Sequence, residues 1–256
     1  MAAVTRSQVA THNYRFSSFL GGIHLADPKS IADIAEAKAK FPESEIKKGF
    51  TGSSGEGASA KVLADLATNG FQLVGLEGNL TSAKVKEILI DGRATPYLVV
   101  GLRDDAGRYY LSVSLSEPAA QMLVRKLANV VPGAPTEYRL WMTYGQKEGK
   151  DRAYAEGAAS LRQNGVEVRG IPRAEQLAAL EEAAAASLEA AGVPRSDKET
   201  HGRRRATVAL EYHLALMDDV VGVFDAYYAA RKQGPQSQAP QSAENFAEDL
   251  EVEAPL

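Results

Sequence analysis

Aromatic and basic residues recur together on short segments that alternate between apolar and polar positions. Residues 97–103, 108–115 and 136–144 each carry apolar residues at every second position, and successive side chains of a strand point to opposite faces. The intervening positions hold Tyr97, Arg103, Arg108, Tyr110, Arg139 and Trp141. Aromatic rings can stack on nucleic-acid bases, and arginines can neutralise phosphates. The pattern predicts that these side chains share one exposed surface suited to a single-stranded nucleic acid.

No grouping in the sequence predicts catalysis or a metal site. The chain has no cysteine, and its histidines are scattered without ligand spacing, at His12, His24, His201 and His213. Acid pairs occur at positions 104–105 in a predicted hairpin and at 218–219 on a predicted helix, without an adjacent histidine. We therefore expect a binding protein that is not an enzyme and has no cofactor or metal.

The negative charge of the chain is concentrated at its end. The formal net charge is −4, and residues 233–256 contain five acids and no Lys or Arg. Removing that −5 leaves +1 on residues 1–232, so a site for a polyanion has to be a local patch. No apolar run approaches the ~18 residues of a membrane span, and no signal-peptide core is visible. These features predict a cytoplasmic protein without membrane contact.

The elements that position the candidate residues follow the order strand, strand, strand, helix, strand, strand. The strands are predicted at 71–91, 97–103, 108–115, 136–144 and 164–169, and the helix begins at 116. This order matches the five-stranded Greek-key barrel called the OB-fold, which binds oligonucleotides or oligosaccharides. The predicted fold class is mainly β with added helices, built on an OB-fold-like barrel.

Four regions are predicted along the chain. Residues 1–69 form an N-terminal extension, including a helix capped by Asp27 with Pro28 at its first position, and residues 70–172 form the barrel. Residues 173–232 are rich in Ala, Glu and Leu and predict a helical hairpin, whose second helix opens at Arg203-Arg204-Arg205. Residues 233–256 read as a disordered linker followed by an acidic tail.

A barrel with aromatics on its strands, then a Gln/Pro/Ser linker and an acidic end, resembles the single-stranded DNA-binding proteins of bacteria and their phages. The resemblance implies a role in DNA replication, recombination or repair, with bases stacked on Tyr97, Tyr110 and Trp141. It implies phosphate contacts from Arg103, Arg108, Arg139, Lys147, Lys150 and Arg152. The chain ends in Ala-Pro-Leu, whereas bacterial tails end in Ile-Pro-Phe. Residues 1–69 and 173–232 are additions that are more usual in phage versions of the family. We therefore expect a phage protein in the host cytoplasm.

The same resemblance implies that the tail binds replication or recombination proteins. The residues concerned are Phe246, Glu248, Asp249, Leu250, Glu251, Glu253 and Leu256.

Other interpretations stay open. The barrel and helical hairpin could serve a virion component or a protein-interaction module, with self-association into a homo-oligomer. An oligosaccharide-binding barrel is a third interpretation, although carbohydrate sites do not require repeated arginines beside aromatics. Trp141 could also be packed under the C-terminal helices, because aromatic side chains bury large areas.

Overall fold

The computed structural model describes residues 10–53, 55–90, 92–146, 153–172 and 175–233. The strands in these ranges are β1 Ala10–Ser17, β2 Gly22–Leu25, β3 Leu76–Ile90, β4 Arg93–Arg103, β5 Gly107–Ser114, β6 Pro135–Gln146, β7 Ala153–Gln163 and β8 Val166–Glu167. The helices are α1 Pro28–Ala39, α2 Glu43–Ile46, α3 Ala58–Thr68, α4 Pro118–Leu127, α5 Glu175–Ala190 and α6 Lys198–Gln233. None of these helices is both long enough and apolar enough to cross a membrane.

The strands form one mixed sheet with the order β2-β1-β5-β4-β3-β6-β7-β8. The sheet curls, because β2 pairs with β1 along one edge and meets β6 at Gly22 and Trp141 along the other. The long strand β3 bends at a register shift between Leu80 and Ser82, as expected for a bulge. The curl gives the sheet an inner face, which holds the core, and an outer face, parts of which are covered and parts exposed.

The predicted five-stranded OB-fold-like barrel is wrong. The strands and helix expected at 97–103, 108–115, 116 onward and 136–144 are present as β4, β5, α4 and β6. However, β1 pairs in parallel with β5 and β2 joins β6, so the eight-stranded sheet includes strands from the first 25 residues. The strand expected at 164–169 is reduced to β8 at the sheet edge. The backbone groups at the edge of β5 need partners, and a strand from far away in the chain supplies them.

The main core lies between the inner face of the sheet and two helices. Strands β4 and β5 contribute Leu98, Val100, Leu111 and Val113, which are at most 1% exposed. The helix α4 buries Ala119, Ala120, Leu123, Val124 and Leu127, and α6 adds Met217, Val220 and Phe224. Alternation along β4 and β5 therefore sends every inner side chain into this core and leaves the intervening side chains on the outer face.

The helices α1 to α3 pack around a second, smaller core, and Phe71 and Leu73 at the edge of this core cover the outer side of β2. The Asp27 side chain accepts a 2.9 Å hydrogen bond from the Ser30 amide, which confirms the predicted cap of α1. Phe71 contacts the ring of His24 on β2, with ring centroids 5.6 Å apart. Leu73 lies so close to Gly22 that a Cβ atom at that glycine would be 3.0 Å from it. The outer face of β2 is therefore covered and not available to a ligand.

The C-terminal helices α5 and α6 pack against each other through Leu177, Ala184, Val208 and Ala209. The helix α6 begins at Lys198, and the Asp197 carboxylate caps it by accepting a 3.0 Å hydrogen bond from the Thr200 amide. The Arg203–Arg205 run, expected to open the helix, lies in the second turn, and Arg203 pairs with Glu199. Acidic groups therefore occupy the positive end of the helix dipole.

Two tyrosines of the core provide a test of the packing. Tyr138 is fully buried, and within the described residues its hydroxyl has no hydrogen-bond partner. The Tyr228 hydroxyl donates a 2.9 Å hydrogen bond to the Thr81 carbonyl oxygen. Because an unsatisfied buried hydroxyl costs free energy, Tyr138→Phe should raise the free energy of unfolding by about 1 kcal/mol, and Tyr228→Phe should lower it by about 1 kcal/mol. Urea unfolding measures both, and a loss of stability in Tyr138→Phe would contradict the packing described.

Candidate nucleic-acid interface

Pairing of β4 with β5 brings four of the candidate residues onto one outer face. Gly101 on β4 is opposite Tyr110 on β5, and Arg103 is opposite Arg108. Tyr97 shares that face because it is an even number of residues from Gly101 and Arg103 on the same strand. These side chains are partly buried, and none of them belongs to the core. The structure therefore places Tyr97, Arg103, Arg108 and Tyr110 on one surface, as the alternation predicts.

Three further cations on neighbouring strands extend this surface. Lys86 is opposite Tyr97 and Lys84 is opposite Val99 on β4, while Arg15 on β1 is opposite Ser112. The sequence analysis missed all three. Lys84 and Lys86 alternate with Ala83 and Val85, which pack in the core, and this period of two could have revealed them. Arg15 could be placed only once β1 was known to lie beside β5.

We call the surface made by Arg15, Lys84, Lys86, Tyr97, Arg103, Arg108 and Tyr110 the tyrosine face. From Ser82 to Ile90 on β3, and along β4, β5 and β1, the paired positions of this face hold no acidic residue. Asp104, at the turn after β4, is engaged locally, because it accepts 2.8 Å hydrogen bonds from the amides of Ala106 and Gly107. The tyrosine face is thus a cationic surface on a chain with a net charge of −4.

The two tyrosines of this face are arranged for an unstacked strand. A side chain at Gly101 would put a Cβ atom 3.1 Å from the Tyr110 ring, so the glycine allows the ring to lie close to the backbone of β4. Four residues of strand and one strand spacing separate Tyr97 from Tyr110, which amounts to roughly 14 Å. Stacked bases rise by only ~3.4 Å per step, so the two rings suit bases of an extended single strand.

The positive charge of Lys84 is unfavourable in the folded protein. Burial lowers the pKa of the Lys84 ammonium, and the positive charge of Lys86 lowers it further. No acidic partner of Lys84 is found in the part of the chain that the structure describes. The folded protein therefore holds like charges close together, an arrangement that a bound polyanion would relieve.

Arg139 and Trp141 lie on a different surface. They project from β6, whose outer positions Glu137, Arg139 and Trp141 are opposite Arg162, Ser160 and Ala158 on β7. Glu137, Arg139, Trp141, Ser160 and Arg162 line an open groove of about 350 Å³, which we call the tryptophan groove. Trp141 is 39% exposed, so it is not buried under the C-terminal helices.

Two features separate the tryptophan groove from the tyrosine face. On one side, the exposed Glu77 on β3 lies between β4 and the groove, opposite Glu137, which lines the groove itself and pairs with Arg139. On the other side, Phe71 and Leu73 cover the outer face of β2 at His24 and Gly22, as described above. The expectation that Tyr97, Tyr110 and Trp141 share one contiguous surface is therefore not met.

Part of the predicted site lies outside the described residues. This applies to the loop cations Lys147, Lys150 and Arg152, and to the tail residues Phe246, Glu248, Asp249, Leu250, Glu251, Glu253 and Leu256. Among the residues that are described, no group of His, Asp or Glu side chains is arranged to hold a metal ion. His24, His201 and His213 are buried.

Comparisons with protein-family models, with curated proteins and with solved structures gave no match. We therefore infer function from the chemistry of the residues themselves.

Replacing Lys84 tests the electrostatic cost of the tyrosine face. Because the folded-state pKa of Lys84 lies below the ordinary value of 10.5, its charged form opposes folding at neutral pH, and this penalty falls as pH rises through the folded pKa. Lys84→Met should raise the free energy of unfolding at pH 7 by about 0.5 kcal/mol, and by less in high salt.

The matched control for this substitution is Lys29→Met. Lys29 pairs with Asp33 at 2.7 Å, and that hydrogen bond raises the pKa of Lys29, so its loss should slightly destabilise the protein. Thermal melting at low and high salt measures both variants. Equal destabilisation in the two variants would contradict the view that Lys84 opposes folding.

Proposed function

We propose that the protein binds single-stranded DNA without sequence preference, through the tyrosine face. The observation that carries the proposal is the register of β1, β5, β4 and β3, which places two tyrosines among five cations with no acid at the paired positions. Aromatic stacking tolerates any base, and Lys and Arg contacts to phosphates carry no sequence information. Stacking and charge neutralisation account for all the side chains of this face, so we propose binding without catalysis.

The proposed setting is DNA replication, recombination or repair, in a phage context. The barrel that carried part of the resemblance to single-stranded DNA-binding proteins is absent, so this setting is supported by the tyrosine face and by the composition of the tail. The tail combines five acids with the apolar residues Phe246, Leu250 and Leu256. We propose that it binds partner proteins of the replication or recombination machinery.

The two tyrosines should supply much of the affinity. Stacking of a base on an aromatic ring is worth about 1–3 kcal/mol, so Tyr97→Ala and Tyr110→Ala should each weaken binding of labelled oligo-dT about 5- to 150-fold. Tyr144→Ala is the matched control, because Tyr144 is 47% exposed but lies on β6, away from the tyrosine face. Fluorescence polarisation measures the affinities. A control that weakens binding as much as the two variants would refute the role of the face.

The cations should set the dependence of binding on salt. Each phosphate contact to a single strand contributes about 0.7 to the slope of log affinity against log salt concentration, so Lys86→Ala and Arg103→Ala should each reduce the slope by about that amount. Arg204→Ala, at an exposed position on α6, serves as the control and should leave the slope unchanged. The reductions should be the same for oligo-dT and for mixed sequences. A loss confined to one sequence would indicate base-specific contacts and contradict the proposal.

A further inference from the structure

The tryptophan groove has the chemistry of a second nucleic-acid site. Trp141 is opposite Ala158, a small residue that leaves one flank of the indole open. Gly75 lies close to Arg139: a Cβ atom added at Gly75 would be 3.1 Å from the Cγ atom of Arg139. The absence of a side chain at Gly75 therefore lets the arginine lie across the start of β3. The groove therefore offers one open aromatic face with an arginine next to it.

The ion pairs around the groove hold Arg162 less closely than Arg139. Arg139 is engaged by Glu137 at 2.7 Å. Glu167 accepts hydrogen bonds from Lys126 at 2.5 Å and Ser160 at 2.6 Å, while the Nε atom of Arg162 is 3.6 Å away. Burial alone would raise the pKa of Glu167, but the hydrogen bonds outweigh it and lower the pKa, so the carboxylate stays charged and is neutralised mainly by Lys126. The half-exposed Arg162 can then bind a phosphate.

The dimensions suit a short stretch of single strand. Trp141 is four residues along β6 from Glu137, which is opposite Arg162, so the indole and this arginine are roughly 14 Å apart. A base stacked on Trp141 and a phosphate at Arg162 would therefore belong to one extended segment. We expect the segment on the tyrosine face not to continue directly into the groove, because the exposed Glu77 repels phosphates on one route and Phe71 and Leu73 cover β2 on the other.

We propose that the tryptophan groove binds a second, separate segment of single-stranded nucleic acid, so that one protein molecule holds two strands at once. The second site rests on the proposed function of the tyrosine face. It extends that function from binding one single strand to holding two strands together. The residues assigned to the second site are Trp141 for stacking and Arg162 for a phosphate, with Arg139, paired to Glu137, in the same groove.

Two readouts in the full chain separate the sites. Trp141 is the only tryptophan, so quenching of its fluorescence by oligo-dT reports the groove alone. Energy transfer between a donor-labelled and an acceptor-labelled oligo-dT reports two strands on one assembly. The wild-type protein should show both signals. Arg162→Ala should lose the energy transfer and weaken the quenching, while the control Arg204→Ala, at an exposed position on α6, should change neither signal.

Variants of each site should behave in opposite ways. Trp141→Ala should lose energy transfer and Trp141→Phe should restore it, because the phenyl ring still stacks. Tyr97→Ala combined with Tyr110→Ala should weaken the polarisation signal at least ~5-fold and leave the midpoint of Trp141 quenching unchanged. Tyr144→Ala should change neither signal.

Four results would overturn the second site. A quenching midpoint that shifts with the tyrosine variants means that one strand visits both surfaces. Energy transfer that persists in Trp141→Ala means that the second strand is held elsewhere, for example by another copy of the chain. Oligo-dT binding that survives the tyrosine variants but not Trp141→Ala means that the groove is the single site, and it refutes the tyrosine face as well. Loss of binding in the tyrosine variants alone, with no quenching of Trp141 in the wild-type protein, leaves the proposed function intact and removes only the second site.

Discussion

The short strand β2 is the constraint on which the rest of the structure depends. It pairs with β1 through four residues and meets β6 at Gly22 and Trp141, so the sheet curls and encloses the side chains of β4 and β5 against α4 and α6. The same strand is covered on its outside by Phe71 and Leu73, which follow α3 and pack against the second core. Because β2 both curls the sheet and interrupts its outer surface, it creates the core and separates the tyrosine face from the tryptophan groove.

The tyrosine face shows a conflict between folding and binding. Stability alone would favour acids among Arg15, Lys84, Lys86, Arg103 and Arg108, since like charges at neighbouring positions of a sheet destabilise it. Exposed sheet positions elsewhere in this chain do combine charges in that way, as Glu137 with Arg139 and Arg162 with Glu167 illustrate. Binding of a polyanion gives a physical reason for a face without acids at its paired positions, because the partner's phosphates would add negative charge there.

Local patterns in the sequence predicted individual strands and helices, but they could not predict how strands far apart in the chain pair with each other. The period of two in β4, β5 and β6 and the capping residues of α1 are local signals, and these elements are present. The number of strands and the place of β1 depend on backbone pairing between residues far apart, which no local pattern contains. For the same reason, Trp141 was grouped with Tyr97 and Tyr110, since side chains on the outer face of a curled sheet can still lie on separate parts of that face.

The pairing of β1 and β2 also has a consequence for how the chain reaches this structure. Ala10 pairs with Gly107, and Gly22 with Trp141, so β1 and β2, which pair with each other locally, find their other partners only after the middle of the chain has been made. At ~5–20 residues per second, that delay lasts several seconds, during which the outer edges of the β1–β2 pair stay unpaired. Long-range closure of this kind is slow compared with the formation of local hairpins and helices. Completion of the sheet is therefore expected to be a late step in folding, and the one most exposed to aggregation.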